Sequence, residues 1–184
     1  MAEHESSVGA SDLWFTPPEI FAALGLTFDL DPCSPGIGAP HCCVPARAVF
    51  TQADDGLAQS WHGLVFMNPP FGERHGHVPW LRKFLDHANG IAIVRAYTSS
   101  DWFHEVVVPR AETLLFPLGK TKFVRGEPMV SRDKAGKVIA THPAGSLGGS
   151  PGHGVVLIGM GAVANAALAQ SGLGYFQPVL RRAA

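Results

Sequence analysis

The sequence predicts a single α/β domain built on an open sheet, and two observations support this. Short apolar stretches, typical of buried strands, alternate along the chain with segments whose apolar residues recur at helical spacing. The 184 residues suffice for one hydrophobic core but not for two ordinary domains of roughly 100–200 residues each. In open sheets of this class, ligands bind beyond the carboxyl ends of the strands.

The composition is that of a folded protein, with 46% hydrophobic and 16% charged residues. Residues 1–12 are small and polar and predict a disordered tail, so the folded domain should span residues 13–184. No stretch reaches the roughly 18 consecutive apolar residues of a membrane helix. The start of the chain also lacks the basic and then apolar build of a signal peptide. We therefore expect a cytoplasmic protein without a membrane partner.

The first predicted element is a short helix. Thr16 followed by Pro17 is typical of a helix N-cap with proline at the first helical position. Apolar residues then recur at helical spacing until Gly25. This pattern predicts a helix over about residues 17–24.

Strands and a long loop follow. Residues 26–31 alternate between apolar and polar, as a strand does. Residues 32–47 contain four prolines and two glycines, which predicts a loop over the edge of the sheet, and residues 46–51 are a candidate short strand. The brief apolar run at residues 64–67 stops at Asn68, because the two prolines after it lack the N–H that a central strand needs.

The second half of the chain predicts a strand–helix–strand unit and a terminal hairpin. Apolar residues at helical spacing from Trp80 to Ala88, with Asn89-Gly90 as a C-cap, predict a helix. The later predicted elements are a strand at 91–94, a helix at 102–108 capped by Asp101, a strand at 113–116, and a C-terminal β-hairpin formed by strands at 122–124 and 155–158. A basic, Gly-rich insertion at about residues 125–154 would join the two strands of that hairpin.

The basic residues are concentrated in one segment, although the net charge is only -1. Seven of the 14 Lys and Arg residues lie between Arg110 and Lys137, against three acidic residues. Nucleic-acid-binding proteins usually carry such a basic face. Lys120, Lys122 and Arg125 are therefore candidate contacts to DNA phosphates, with a solvated hairpin face as the alternative.

The three cysteines predict neither a disulfide framework nor a metal site. Their number is odd, and Cys42 and Cys43 are adjacent in sequence. Adjacent cysteines cannot easily bind one tetrahedral ion, and the paired Cys-x-x-Cys spacing of zinc sites is absent around Cys33 and His41. Reduced thiols and no metal are expected.

The motif Asn68-Pro69-Pro70-Phe71 suits chemistry on an exocyclic amine. The prolines stiffen the turn, so that the side-chain carbonyl of Asn68 and the backbone carbonyl of Pro69 can converge on one point. Two such acceptors would orient an NH₂ group and draw its nitrogen toward tetrahedral geometry, which frees the lone pair for attack. Phe71 could stack on the ring that carries the amine. A base in a duplex would have to be flipped out to reach this pocket.

These residues resemble motif IV of the amino-methyltransferases, Asp/Asn/Ser-Pro-Pro-Tyr/Phe, and the surrounding chain is similar to the phage-type DNA adenine-N6 methyltransferases (the Dam-like family). The resemblance covers roughly residues 13–125. The segments that stand in the family's order are Trp14 to Phe21 (WFTPPEIF), Phe28 to Cys33 (FDLDPC), Thr51 with Asp54 to Leu57 (DDGL), Trp61 and Trp80. Several motifs in one order are far more specific than a lone NPPF.

The resemblance implies a Rossmann-like methyltransferase sheet in one domain and S-adenosylmethionine as the methyl donor. By the same resemblance, Thr16-Pro17 lies against the methionine end of the cofactor. Asp31-Pro32-Cys33-Ser34 faces the cofactor in place of a Gly-rich loop. Either Asp54 or Asp55 lies near the cofactor's adenine, where a carboxylate can accept from an exocyclic amine. Alternatively, Asp54 holds the ribose hydroxyls.

The implied activity is adenine-N6 methylation of double-stranded DNA, with Asn68, Pro69, Pro70 and Phe71 as the catalytic motif. Arg74 and His75, in the loop after the motif, are further candidates for DNA contacts, with a mobile polar loop as the alternative. Compact members of the family lack a large recognition domain, so sequence specificity is expected from loops near residues 73–79 and 118–153. We expect a monomer or a homodimer, because the low overall charge leaves open a need for dimerisation or for a partner to gain affinity for DNA. The resemblance also implies a phage or prophage gene that shields DNA from host restriction–modification systems.

Two other functions stay open. The Asn-Pro-Pro-Phe pattern also serves enzymes that methylate the amide nitrogen of a protein glutamine, but those carry a Gly-rich cofactor loop. Here only Gly36 and Gly38 follow Asp31, and the Phe-x-Gly-x-Gly pattern is absent. The second alternative is a non-catalytic relative that binds DNA or cofactor without turnover. The presence of both Asn68 and Phe71 argues against it.

Overall fold

The computed structural model describes residues 13–70, 76–133, 135–149 and 152–179; the predicted tail at residues 1–12 lies outside them. Its strands are β1 (Trp14–Phe15), β2 (Phe28–Asp31), β3 (Ala46–Val49), β4 (Val65–Met67), β5 (Gly90–Arg95), β6 (Thr113–Pro117), β7 (Val124–Arg125), β8 (Met129–Arg132), β9 (Val138–His142), β10 (Val155–Met160) and β11 (Gly174–Pro178). Its helices are α1 (Pro18–Leu24), α2 (Val78–His87) and α3 (Ala162–Gln170), with a 3₁₀ turn at Gln52–Asp54 and a π-helical turn at Phe103–Val107.

A seven-stranded mixed sheet forms the centre of the molecule, in the order β11-β6-β10-β5-β4-β2-β3. β3, β2, β4 and β5 are parallel to one another, whereas β10 runs antiparallel to both of its neighbours, β5 and β6. The predicted α/β class is confirmed, and the sheet is compatible with the methyltransferase fold that the resemblance implies. Because β2 and β4 are parallel neighbours, their carboxyl ends lie side by side at one edge of the sheet.

Both faces of the sheet are covered. Alternate residues of β5 point to opposite faces: Ile91 and Ile93 pack in the core beneath α1 and α3, whereas Ala92 and Val94 pack in the core beneath α2 and the π-helical turn. This three-layer arrangement explains why the strand read as a continuous apolar run rather than as an alternating one.

The predicted C-terminal hairpin is wrong. β10 pairs with β5 and β6 instead of with residues 122–124, and β7 pairs with β1 near the start of the described chain. Every residue of β10 is buried. Such a strand needs partners on both edges and cover on both faces, which a hairpin at the rim of the sheet cannot provide. The basic insertion instead forms a separate two-stranded ribbon, β8 with β9.

Two predicted helix caps also change. The N-cap of α1 is Pro17 rather than Thr16, and no side chain hydrogen-bonds to the cap. The C-cap of α2 is Ala88, with φ of 58°, rather than Asn89-Gly90. Gly90 begins β5 instead, where a Cβ atom would overlap the backbone carbonyl of Val65. In the described part of the chain, no helix is long and apolar enough to cross a membrane.

Candidate active site

A cavity of about 1120 Å³ opens at the carboxyl ends of β2 and β4. Most of the residues that the sequence singled out line it: Thr16, Asp31, Pro32, Cys33, Ser34, Asp55, Asn68, Pro69 and Pro70. Pro17 is buried as the cap of α1 but is not among the lining residues. Phe71 lies outside the described residues. Segments far apart in sequence thus contribute to one concave surface, as ligand sites in open α/β sheets do.

The side chain of Asn68 is held in one orientation. Its Nδ2 donates to the backbone carbonyl of Trp14 at 2.8 Å. Because that carbonyl can only accept, the amide oxygen Oδ1 must point away from it. Oδ1 is buried and receives no hydrogen bond from any described residue. Buried polar atoms are nearly always paired, so this acceptor is available to a donor on a bound ligand.

Thr16 supplies a second buried polar atom at the same cavity. The residue is 1% exposed, and its Oγ1 has no hydrogen-bond partner within the described ranges. The sequence explained Thr16 equally well as a helix cap and as a cofactor contact. Since Pro17 takes the cap position, the hydroxyl of Thr16 is not used there. Its placement favours the contact with a ligand.

The loop after β2 is fixed by backbone hydrogen bonds. The carbonyl of Asp31 accepts from Phe50 N at 2.9 Å, and Ser34 N donates to the Phe50 carbonyl at 3.0 Å. Opposite this loop, a Cβ at Gly56 would overlap the Pro32 carbonyl and lie 3.1 Å from the Trp80 ring. Glycine therefore lets the two walls of the cavity meet closely at this point.

Asp31 carries the most perturbed carboxyl group of the site. It is 3% exposed, and burial raises its pKa to about 7, against the hydrogen bonds from Cys33 N and the Ser34 hydroxyl. Burial, with the nearby Asp31 charge, also raises the pKa of the Cys33 thiol. A carboxyl group with a pKa near 7 in a cleft is a common feature of functional sites. A cationic group of a ligand would favour its ionised form.

Stability should depend on pH through Asp31. Between its ordinary pKa of 3.8 and its folded pKa of about 7, the folded state holds a proton that the unfolded state releases. The free energy of unfolding should therefore fall as pH rises from about 4 to about 7, and level off above. Urea unfolding at steps across this range should show a flatter profile for Asp31→Asn. Identical slopes in the two proteins would contradict the assignment.

Asp54 and Asp55 occupy different positions. The Asp54 carboxylate accepts from Thr51 N and Thr51 Oγ1, both at 2.7 Å, and these bonds lower its pKa. It caps the 3₁₀ turn and is exposed. Asp55 lies in the cavity wall. The geometry therefore favours Asp55 as the carboxylate that contacts a ligand, while the division of ribose and adenine between them stays a prediction.

The candidate DNA-binding residues are not alike. Lys120 and Lys122 are exposed on the segment before β7. Arg125 is only 6% exposed, with its guanidinium 4.8 Å from the centroid of the Trp14 ring. Arg74 and His75 lie outside the described residues. All three cysteines have free thiols, and no three His, Cys, Asp or Glu side chains of the described part come together as a metal site.

Some lining residues were missed by the sequence. Trp80 packs against the core and also forms part of the cavity wall, with its ring stacked on Trp61 at a centroid distance of 6.3 Å. Glu127, just before the ribbon, reaches the same cavity. Trp14 contributes through its backbone carbonyl, which no residue pattern reveals.

Comparison with known proteins bears on most of the chain. A family model described as DNA N-6-adenine-methyltransferase (Dam) matches residues 4–141. The matched stretch contains every candidate site residue, from Thr16 to Arg125. No curated protein and no solved structure matches the chain.

Proposed function

Because the chain belongs to the DNA N-6-adenine-methyltransferase (Dam) family, we propose that it transfers a methyl group from S-adenosylmethionine to the N6 amine of a flipped adenine in double-stranded DNA, at a defined sequence. The observation that carries this proposal is the orientation of Asn68. Its amide is fixed by Trp14 and presents a buried acceptor to the cavity. That acceptor suits a donor such as an exocyclic amine.

The cavity is large enough for a small-molecule cofactor. Its volume is about 1120 Å³, just above the roughly 300–1,000 Å³ that is common for ligand pockets. Thr16 Oγ1 would hold a polar group at the methionine end of the cofactor. The Asp31 carboxylate would pair with the positive charge at that end of the cofactor. Asp55 would accept a hydrogen bond from the amine of the cofactor's own adenine. S-adenosylmethionine supplies a methyl group on a sulfonium, which leaves as a neutral thioether.

The residues of the chain then orient the acceptor nitrogen. Asn68 Oδ1 and the backbone carbonyl of Pro69 would each accept a hydrogen bond from one N–H of the adenine amine, and this would turn the lone pair of its nitrogen toward the methyl donor. The N–C bond would form as the S–C bond of the sulfonium breaks, and the sulfur would keep the bonding electron pair. The methylated nitrogen carries positive charge until it releases one proton to water beside Asn68, so a strong base is not needed.

The ribbon β8–β9 is the proposed reader of the DNA groove. Register pairs Val130 with Thr141 and, after a shift in register, Arg132 with Val138, and all four residues are exposed. The major groove admits a two-stranded ribbon, and basic, hydroxyl and apolar side chains are those that read base edges there. Glu127, which precedes the ribbon, lines the same cavity as Asn68, and this supports a ribbon that contacts DNA near the proposed reacting centre.

Arg132→Ala and Lys137→Ala should each raise the KM for DNA by roughly threefold and lower the salt dependence of binding by about one unit of slope, since each removes one cationic contact. The kcat at saturating DNA should stay unchanged. Steady-state kinetics at several salt concentrations tests this. Arg110→Ala is the matched control, because Arg110 forms an ion pair with Asp86 of α2 and is not part of the ribbon. A ribbon variant that behaves like the control would exclude the ribbon from the DNA interface.

The test of the proposed function offers two substrates in one reaction. Radiolabelled S-adenosylmethionine is incubated with the protein, unmethylated duplex DNA and a glutamine-containing polypeptide, and the two polymers are then separated and counted. Label in DNA is expected. Label in the polypeptide would instead identify the glutamine amide as the acceptor. Cofactor binding without label in either would identify a non-catalytic relative.

We propose a phage or prophage gene product that acts in the bacterial cytoplasm, where methylation would shield DNA from restriction enzymes.

A further inference from the structure

Arg125 is a buried cation with an unusual environment. It is 6% exposed, and its guanidinium carbon lies 4.8 Å from the centroid of the Trp14 ring. Nη1 donates to the sulfur of Met129 at 3.3 Å, while Nε is buried without an acceptor among the described residues. No carboxylate of those residues forms an ion pair with it. The guanidinium therefore depends mainly on the face of the indole for its stabilisation.

This environment does not suit a phosphate contact and does not favour stability. A guanidinium at 6% exposure cannot reach a DNA backbone without leaving its site. Burying a cation without a carboxylate partner costs free energy, and apolar residues of similar volume are often neutral or stabilising in its place. The presence of a buried arginine at position 125 must therefore be explained by the groups that its side chain contacts.

The contact leads directly to Asn68. Trp14 and Arg125 are paired residues of β1 and β7, and Gly126 N donates to the Leu13 carbonyl at 2.8 Å. The Trp14 ring is also close to Gly148, where a Cβ would lie 2.7 Å from a ring atom. The same Trp14 provides the carbonyl that accepts from Asn68 Nδ2. The Trp14 ring thus packs against Arg125 and lies close to Gly148, while the Trp14 carbonyl orients the side-chain amide of Asn68.

We propose that Arg125 is a positioning residue, which fixes Trp14 so that the Trp14 carbonyl holds Asn68 with Oδ1 directed into the cavity. This inference rests on the proposed function of Asn68. It assigns Arg125 a role distinct from those of Lys120 and Lys122, which are exposed. It also links the insertion to the reacting centre, because the backbone of Arg125 pairs with Ser146 and Gly145 of the insertion.

Arg125→Met tests the proposal in the full-length protein. The kcat for methyl transfer should fall roughly tenfold to a hundredfold, because small displacements of a positioned group have effects of this size. The KM for DNA and the salt dependence of binding should stay unchanged, and the thermal midpoint should be no lower. Arg125→Lys, which keeps a cation over the ring, should recover part of the rate. Arg110→Met is the control and should match the wild type.

A spectroscopic measurement separates this inference from the proposed function. The chain has three asparagines, Asn68, Asn89 and Asn165, so ¹⁵N-asparagine labelling gives few side-chain amide signals, and Asn68→Asp identifies one of them. In Arg125→Met the Asn68 signals should shift and exchange faster with water, while those of the other two stay. This holds even if no DNA is methylated, in which case the proposed function alone fails.

Three results would overturn the role of Arg125. An unmoved Asn68 signal, whatever the rate or the thermal midpoint, would show that Arg125 does not orient it. A raised KM with a smaller salt slope would show that it contacts phosphate after all. A wild-type rate of methyl transfer in Arg125→Met would show that catalysis does not need the contact between Arg125 and Trp14.

Discussion

Replacing Asn68 by alanine should lower the rate of methyl transfer by about a hundredfold to a thousandfold, the usual effect of removing one preorganised hydrogen-bonding group from a reacting centre. The substitution removes Oδ1, the buried acceptor that has no partner in the described structure. Cofactor binding, measured by calorimetry, should change little. Single-turnover transfer to duplex DNA measures the chemical step directly.

The control for this substitution is Asn89→Ala. Asn89 is also a half-buried asparagine whose Nδ2 donates to a backbone carbonyl, that of Gly63 at 2.9 Å, but it lies at the opposite end of the sheet. The Asn89→Ala variant should transfer methyl groups at the wild-type rate. Equal losses in both variants would point to a general effect on folding, and an unaffected Asn68→Ala would remove Asn68 from the mechanism.

Asp31→Asn should weaken the binding of S-adenosylmethionine by about a hundredfold, since it leaves the positive charge of the cofactor without its buried carboxylate. In the wild type, affinity should rise with pH up to about 7, because the cofactor must otherwise displace the proton from Asp31. Titration calorimetry from pH 6 to pH 8 measures both effects. The variant should lose the pH dependence together with the affinity.

The same substitution should not weaken the fold above pH 7. Ionised Asp31 is buried without a cationic partner among the described residues, so the neutral amide should be tolerated at least as well. Lower affinity with undiminished stability would identify Asp31 as a binding group. Unchanged affinity at pH 8 would show that the cofactor's charge is held elsewhere.

The local elements were predictable because they depend on short-range rules. The same holds for the end of the sheet at which Asp31 and Asn68 lie. The apolar run that ends at Asn68 gave β4 to within one residue, and helical spacing gave α1 and α2 with shifted caps. Placing Asp31 and Asn68 at one edge needed only the rule for parallel strands. These residues do line one cavity.

Long-range pairing was not predictable in the same way. A buried apolar strand such as β10 looks the same whether it closes a hairpin or runs between β5 and β6, because only tertiary contacts select its neighbours. α3 is apolar on most sides and gave no helical alternation. The two-residue strands β1 and β7 are too short to show a pattern, so the sequence did not predict the contact between Arg125 and Trp14.

The central claim, adenine-N6 methylation, is tested most directly with S-adenosylmethionine that carries a deuterated methyl group. Unmethylated duplex DNA is incubated with the wild type or with Asn68→Ala, digested to nucleosides and examined by mass spectrometry. We expect deuterated N6-methyl-2′-deoxyadenosine with the wild type, and its near-complete loss with the variant. Deuterated N4-methyl-2′-deoxycytidine, or no deuterated nucleoside despite bound cofactor, would contradict the claim.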